Sequence, residues 1–144
     1  MFDETSKRVL IVEDDGALRN ILKGALSLKY NVAEASDGVQ ALERLNIFQP
    51  DLILLDLLLP KIDGFELLER IRKIIDPKQA NVPVVILSNL SGAEDIMKAK
   101  NLKVDAYFIK ANVNLEEVKK KIDQILHMEI TDENMEVMDF TKGS

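Results

Sequence analysis

The chain predicts an α/β domain of three layers: a doubly wound sheet of five parallel strands with helices on both faces. Three observations carry this. Short β-branched or leucine-rich runs alternate with longer stretches of helical periodicity. Several of those runs are apolar almost throughout, as strands become when both sheet faces are covered. Turn residues fall between the two kinds of segment.

The first run is Val9-Leu10-Ile11-Val12, followed by Leu18, Ile21, Leu22, Ala25 and Leu26 at helical spacing. The second, Asn31-Val32-Ala33-Glu34-Ala35, is more polar and predicts an edge strand. Asp37-Gly38 then opens a helix marked by Ala41, Leu42 and Leu45. Pro50 precedes the third strand, Leu52-Ile53-Leu54-Leu55. Asp63-Gly64 opens the third helix, whose stripe Leu67, Leu68, Ile71, Ile74, Ile75 predicts that it runs to Asp76-Pro77. The fourth strand is read as Val82 to Leu87. A weaker fourth helix around Ile96, Met97 and Leu102 starts after Gly92. Ala106-Tyr107-Phe108-Ile109 is the fifth strand, and Leu115, Val118, Ile122 and Ile125 mark the fifth helix. Past His127 the periodicity fades. Residues 1–127 therefore predict one domain, and Met128 to Ser144, with five acids, an acidic tail that is either disordered or an extension of the last helix.

Composition narrows the function. The 144 residues suit one domain, and 47% hydrophobic with 31% charged residues is a globular balance. Nineteen Lys and Arg against 25 Asp and Glu give a net charge of -6, the wrong sign for a surface that wraps phosphate backbones, so no direct nucleic-acid contact is expected. The absence of cysteine excludes disulfides, thiolate chemistry and cysteine-ligated metals. The longest apolar run, Leu52 to Leu59, is broken by Asp56 and far too short to span a bilayer, so the expected location is cytoplasmic, with no membrane contact.

In a doubly wound sheet, ligands bind beyond the carboxyl ends of the strands. Those ends carry Glu13-Asp14-Asp15, Asp56, Ser88-Asn89 and Lys110. Asp56 sits within a leucine run, where an unpaired buried carboxylate would cost several kcal/mol, so a positive partner is required. A hard divalent cation with oxygen ligands answers this, and magnesium, which keeps several waters, suits a shallow rim. A metal-held carboxylate beside an ammonium and a hydroxyl also describes a phosphoryl-transfer site. Taken singly, each acid is more often a helix cap or a solvated loop charge; their joint placement carries the reading.

At this point the sequence resembles the receiver domains of bacterial two-component response regulators. The resemblance spans residues 7–127 and rests on Val9 to Asp15, Asp51 to Asp56, Leu59-Pro60-Lys61-Ile62-Asp63-Gly64 and Lys110. It implies the flavodoxin-like strand order 2-1-3-4-5. It further implies that Asp56 is the phospho-acceptor and that Asp14 and Asp56 ligate Mg2+ directly. Glu13 would support the ion through water, and the backbone carbonyl of Leu58 would be a further ligand. Lys110 and Ser88 would hold the phosphoryl oxygens. Tyr107 would follow the Ser88 hydroxyl, making the predicted fourth helix, fifth strand and fifth helix the readout face. Asp15 also fits a cap of the first helix.

Three residues depart from the family pattern. Ala111 follows Lys110 where a cis proline is common, and a cis bond without proline costs about 3 kcal/mol or more, which predicts a looser Lys110. Asn89 stands where a small residue is usual and would narrow access to Asp56. Leu58 adds apolar cover where a polar side chain could position water, which predicts a long-lived phosphorylated form.

The expected function is a signal-relay switch, not an enzyme. It would be phosphorylated by a histidine kinase or phosphotransfer protein and would pass the signal through protein contacts, with no output domain attached, as a monomer or a weak homodimer through the readout face. The rivals are a receiver-like interaction module impaired in phosphorylation, motivated by Ala111 and Asn89, and an aspartyl phosphatase, which would need an acid where Leu58 stands. His127 reads as a solvated helix-terminal residue, Lys119-Lys120-Lys121 as a solvated helix face, and no phosphate-binding glycine loop occurs.

Overall fold

A computed structural model describes residues 6–127, so Met128 to Ser144, and with them the expected acidic tail, lie outside the described residues. Five parallel strands form one sheet in the order 2-1-3-4-5, as the sequence predicts: β1 (Arg8–Val12), β2 (Asn31–Ala35), β3 (Leu52–Leu55), β4 (Val84–Ser88) and β5 (Ala106–Ile109). The more polar β2 is indeed an edge. Register is uniform across the centre, with Leu10 opposite both Ala33 and Ile53.

Because strand side chains alternate, each strand feeds two apolar layers. Val9, Ile11, Leu52, Leu54, Ala106 and Phe108 pack with Leu22 and Leu26 of α1 (Gly16–Leu26) and with Val118 and Ile122 of the last helix, α6 (Leu115–His127). Leu10, Val12, Ile53, Leu55, Tyr107 and Ile109 face the other way. They meet α2 (Gly38–Phe48), α3 (Gly64–Arg72) and α5 (Ala93–Asn101) through Ala41, Leu45, Leu67, Leu68, Ile71 and Ala99.

Asp15, Asp37 and Asp63 cap α1, α2 and α3, each accepting backbone N–H groups of the first turn. Such caps contribute about 1 kcal/mol apiece. Gly92 opens α5, as expected.

Three boundaries correct the sequence reading. The third helix stops at Arg72, and Ile75, counted in its apolar stripe, is 98% exposed. Asp76-Pro77 does not end that helix but starts a further short one, α4 (Pro77–Ala80), with Asp76 as its cap, so the described residues form six helices rather than five. A residue before proline is driven out of the helical region, and Asp76 is extended, so no helix runs through it. The fourth strand begins at Val84 and includes Ser88.

Two side-chain ties close the structure. The Arg72 guanidinium donates to the carbonyls of Val82 (2.7 Å), Leu102 (2.8 Å), Ala80 (3.0 Å) and Lys103 (3.2 Å), stitching α3 to the segments that enter β4 and β5. Asp105 lies within its field, yet burial outweighs that attraction and pushes the carboxyl up to about 6. On the opposite layer, the buried Tyr30 donates its hydroxyl to Asp123 of α6, and Lys29 lies 3.5 Å from the same carboxylate. His127 is exposed at the end of α6, and its ring also stacks on Tyr30.

Candidate functional site

The carboxyl rim of the sheet gathers the predicted residues. β1 delivers Glu13, β3 delivers Asp56, β4 ends on Ser88 and β5 delivers Lys110. Glu13 and Asp56 are only 2% and 4% exposed, so their charges must be met within the protein. The Lys110 ammonium meets both, with Nζ 2.7 Å from Asp56 Oδ2 and 2.8 Å from Glu13 Oε1. Burial alone would lower the pKa of this lysine, but its hydrogen bonds to Asp56 and Glu13 prevail and hold it above its ordinary value. Burial pushes the Glu13 carboxyl up, against the pull of Lys110.

The remaining oxygens are held by the local chain. Asp56 Oδ1 accepts the Leu58 N–H at 3.0 Å, and Glu13 Oε2 accepts the Asp15 N–H at 3.2 Å. Asp14 is exposed. Glu13, Asp14 and Asp56 each bring one carboxylate oxygen within 4.8 Å of the others. Three hard oxygen donors at that spacing, one of them facing solvent, fit a magnesium-like ion that keeps part of its water shell.

No peptide bond among the described residues is cis, so Lys110–Ala111 is trans. The expectation of a looser Lys110 is corrected: across that trans bond its ammonium holds both buried carboxylates. Leu58 contributes its N–H to Asp56, while its side chain is 51% exposed on the rim. Asn89 is exposed beside Ser88.

Ser88 and Tyr107 converge on one residue, Leu90. Leu90 donates its N–H to Ser88 Oγ at 3.4 Å and accepts the Tyr107 hydroxyl on its carbonyl at 2.7 Å. The tyrosine ring is buried, and burial pushes its phenol up to about 12.

Two glycines let neighbouring helices approach the loop that follows β3. A Cβ on Gly64 would stand 2.4 Å from Leu57 Cα and 2.9 Å from the Asp56 carbonyl oxygen. One on Gly38 would stand 2.4 Å from the Ile62 carbonyl oxygen. Lys61, held at a positive φ of 69°, reaches Asp37 at 3.4 Å.

Sequence reasoning missed a second layer behind Glu13. Arg19, one turn into α1, sends Nη1 back to the Glu13 carbonyl at 2.8 Å and Nε to Glu34 Oε1 at 3.2 Å. Lys23 holds the other Glu34 oxygen at 3.0 Å. Glu34, a charge in an otherwise small and apolar strand, was the available signal.

Comparison with known proteins agrees with this geometry. A family model described as the response regulator receiver domain matches residues 9–123. A probable transcriptional regulator, ycf27, of Guillardia theta is 37% identical over 108 residues, which is 74% of this chain and 41% of that protein. Among solved structures, the phosphorylated cyanobacterial phytochrome response regulator RcpA is 33% identical with a TM-score of 0.74, covering 88% of this chain and 98% of that one. The Mn(2+)-bound form of response regulator Rcp1 is 30% identical with a TM-score of 0.70, covering 87% and 97%. The chain spans less than half the length of the curated relatives it matches.

Proposed function

This chain belongs to the response-regulator receiver family, a family of phosphorylated, magnesium-binding signalling domains, and from that premise we propose that it is a switch whose phospho-acceptor is Asp56. The supporting observation is the rim cluster, in which a buried carboxylate is held between an ammonium and two further acids.

The acceptor acts as a nucleophile. An Asp56 carboxylate oxygen attacks the phosphorus of a phosphohistidine on a histidine kinase or phosphotransfer protein. The P–N bond breaks, its electron pair returns to the imidazole, and an acyl phosphate forms on Asp56. Lys110, already at the acceptor, neutralises the incoming phosphoryl oxygens, and the Ser88 hydroxyl hydrogen-bonds one of them. Asp14, Asp56 and the Leu58 carbonyl would hold Mg2+, with Glu13 acting through water. The bound ion would add charge neutralisation at the same oxygens.

Ser88 and Tyr107 both bond the backbone of Leu90, so a shift of the hydroxyl toward the phosphoryl group reaches Tyr107 through one residue. That supports α5, β5 and α6 as the face that meets a downstream protein or a second copy. Residues up to 127 form the receiver unit. No helix among the described residues is long and apolar enough to cross a membrane, in keeping with a cytoplasmic setting.

The test is intact-mass analysis after incubation with Mg2+ and a small acyl-phosphate donor. One added phosphoryl group that requires Mg2+ and disappears in Asp56→Asn is the expected result. No addition to the natural chain, with Mg2+ shown to bind, would overturn the acceptor reading and leave a receiver that works by binding alone.

A further inference from the structure

Asp14 differs from the other two acids of the cluster in what holds it. Glu13 and Asp56 are fixed through both side-chain oxygens, by Lys110 and by backbone N–H groups. Asp14 is exposed and has no side-chain hydrogen bond among the described residues. Its carboxylate is therefore aimed by its backbone alone, and the peptide that sets this backbone is the Glu13–Asp14 unit.

That unit is secured from behind. The Glu13 N–H donates to the Ala35 carbonyl at 3.0 Å, which continues the β1–β2 pairing one residue past the strands. The Glu13 carbonyl, which belongs to the Glu13–Asp14 peptide plane, accepts from Arg19 Nη1 at 2.8 Å. Arg19 cannot swing freely, because its Nε is spent on Glu34, and Glu34 is in turn held by Lys23. The Arg19 and Glu34 side chains are 22% and 27% exposed, a partly desolvated setting in which charge-assisted hydrogen bonds hold their geometry.

We propose that Arg19, locked by Glu34, is a positioning residue for the divalent cation: it fixes the Glu13–Asp14 peptide plane so that the Asp14 carboxylate is already directed at the ion. This rests on the acidic cluster being the Mg2+ site. Residues behind a metal site that orient its ligands typically change metal affinity by about 10- to 100-fold when removed.

Charge alone predicts the opposite sign. Arg19 is a cation bonded to the backbone beside the acidic cluster, so deleting it should, by Coulomb's law, tighten the hold on Mg2+. Positioning predicts weaker binding.

The experiment is calorimetric titration of Mg2+ into the natural chain, Arg19→Gln, Glu34→Gln and the double variant, each with a melting curve in EDTA. For Arg19→Gln we expect about tenfold weaker binding. Glu34→Gln should show a smaller loss in the same direction. The double variant should be no weaker than Arg19→Gln, because Glu34 acts through Arg19. Arg19→Gln binding Mg2+ as tightly as the natural chain, or more tightly, would overturn the proposal even if its melting point fell, since that pattern describes a structural residue. A natural chain that takes up no Mg2+ would overturn the metal-site reading, and this inference with it.

Discussion

The two ends of the sheet each hold a partly buried cation, and they use it differently. At the carboxyl end Lys110 faces two carboxylates, Glu13 and Asp56, at 2.8 and 2.7 Å. At the amino end Arg72 faces four backbone carbonyls within 3.2 Å. Carbonyls neither ionise nor react, so the Arg72 fork serves as a rivet. Carboxylates can bind a competing cation or attack an electrophile, so the Lys110 contact is one that a ligand can rearrange. What partners a buried charge, more than how deeply it is buried, separates a structural site from a chemical one.

Paired truncations should break that comparison most strongly if it is wrong. Arg72→Ala would strand several partly buried carbonyls and should cost about 4 kcal/mol of stability in urea unfolding, with no recovery on adding Mg2+ beyond the gain of the natural chain. Lys110→Ala should cost about 2 kcal/mol in EDTA, because its partners are left facing each other, and millimolar Mg2+ should return most of that loss. Equal behaviour of the two variants toward Mg2+ would erase the distinction.

Asp105, beside Arg72, sharpens it through pH. Its folded pKa of about 6 lies above its ordinary value of 3.8, so the native state binds this proton more tightly than the unfolded chain does. Stability from this group is therefore full below about pH 4, falls as pH rises to about 6, and stays lost above that. Asp105→Asn should raise stability by roughly 3 kcal/mol at pH 7.5 and by almost nothing at pH 3.5. A pH-independent difference would show that the carboxyl is not the group responsible.

The smallest effect is kinetic. Leu58, whose N–H bonds Asp56, is apolar and half exposed at the position where a polar side chain could guide water to the proposed acceptor. Leu58→Asn should shorten the lifetime of the phosphorylated form several-fold while leaving its formation unchanged. An unaltered decay would remove Leu58 as the shield.

The chemical end of the sheet was the more legible of the two in the sequence. Each rim residue follows an apolar run, so Glu13, Asp56 and Lys110 announce themselves as polar residues in places where burial is costly, and Asp14 stands next to the first of them. Arg72 gives no such signal, because its partners are backbone groups that every residue carries, brought together only by the fold. Arg19 and Glu34 stand 15 positions apart, and although Glu34 is an unusual charge for its strand, nothing pairs the two until β2 lies beside β1. The third helix was overextended because Ile74 and Ile75 continue its spacing, and periodicity alone does not register the constraint that Pro77 places on Asp76. The resemblance supplied roles that spacing could not, above all for Ser88 and Tyr107, and their meeting at Leu90 became visible only in three dimensions.

The tie between Tyr30 and the last helix has a mechanical consequence. Asp123 and His127, one turn apart near the end of α6, are both fastened to a ring buried at the start of β2. A reporter or effector joined after His127 would therefore set out from an anchored stub with a defined heading. Its leverage on the domain, and the domain's on it, would pass through that aromatic rivet as well as through the packed face of α6. Loosening Tyr30 would soften that lever without touching the acidic rim at the far end of the strands.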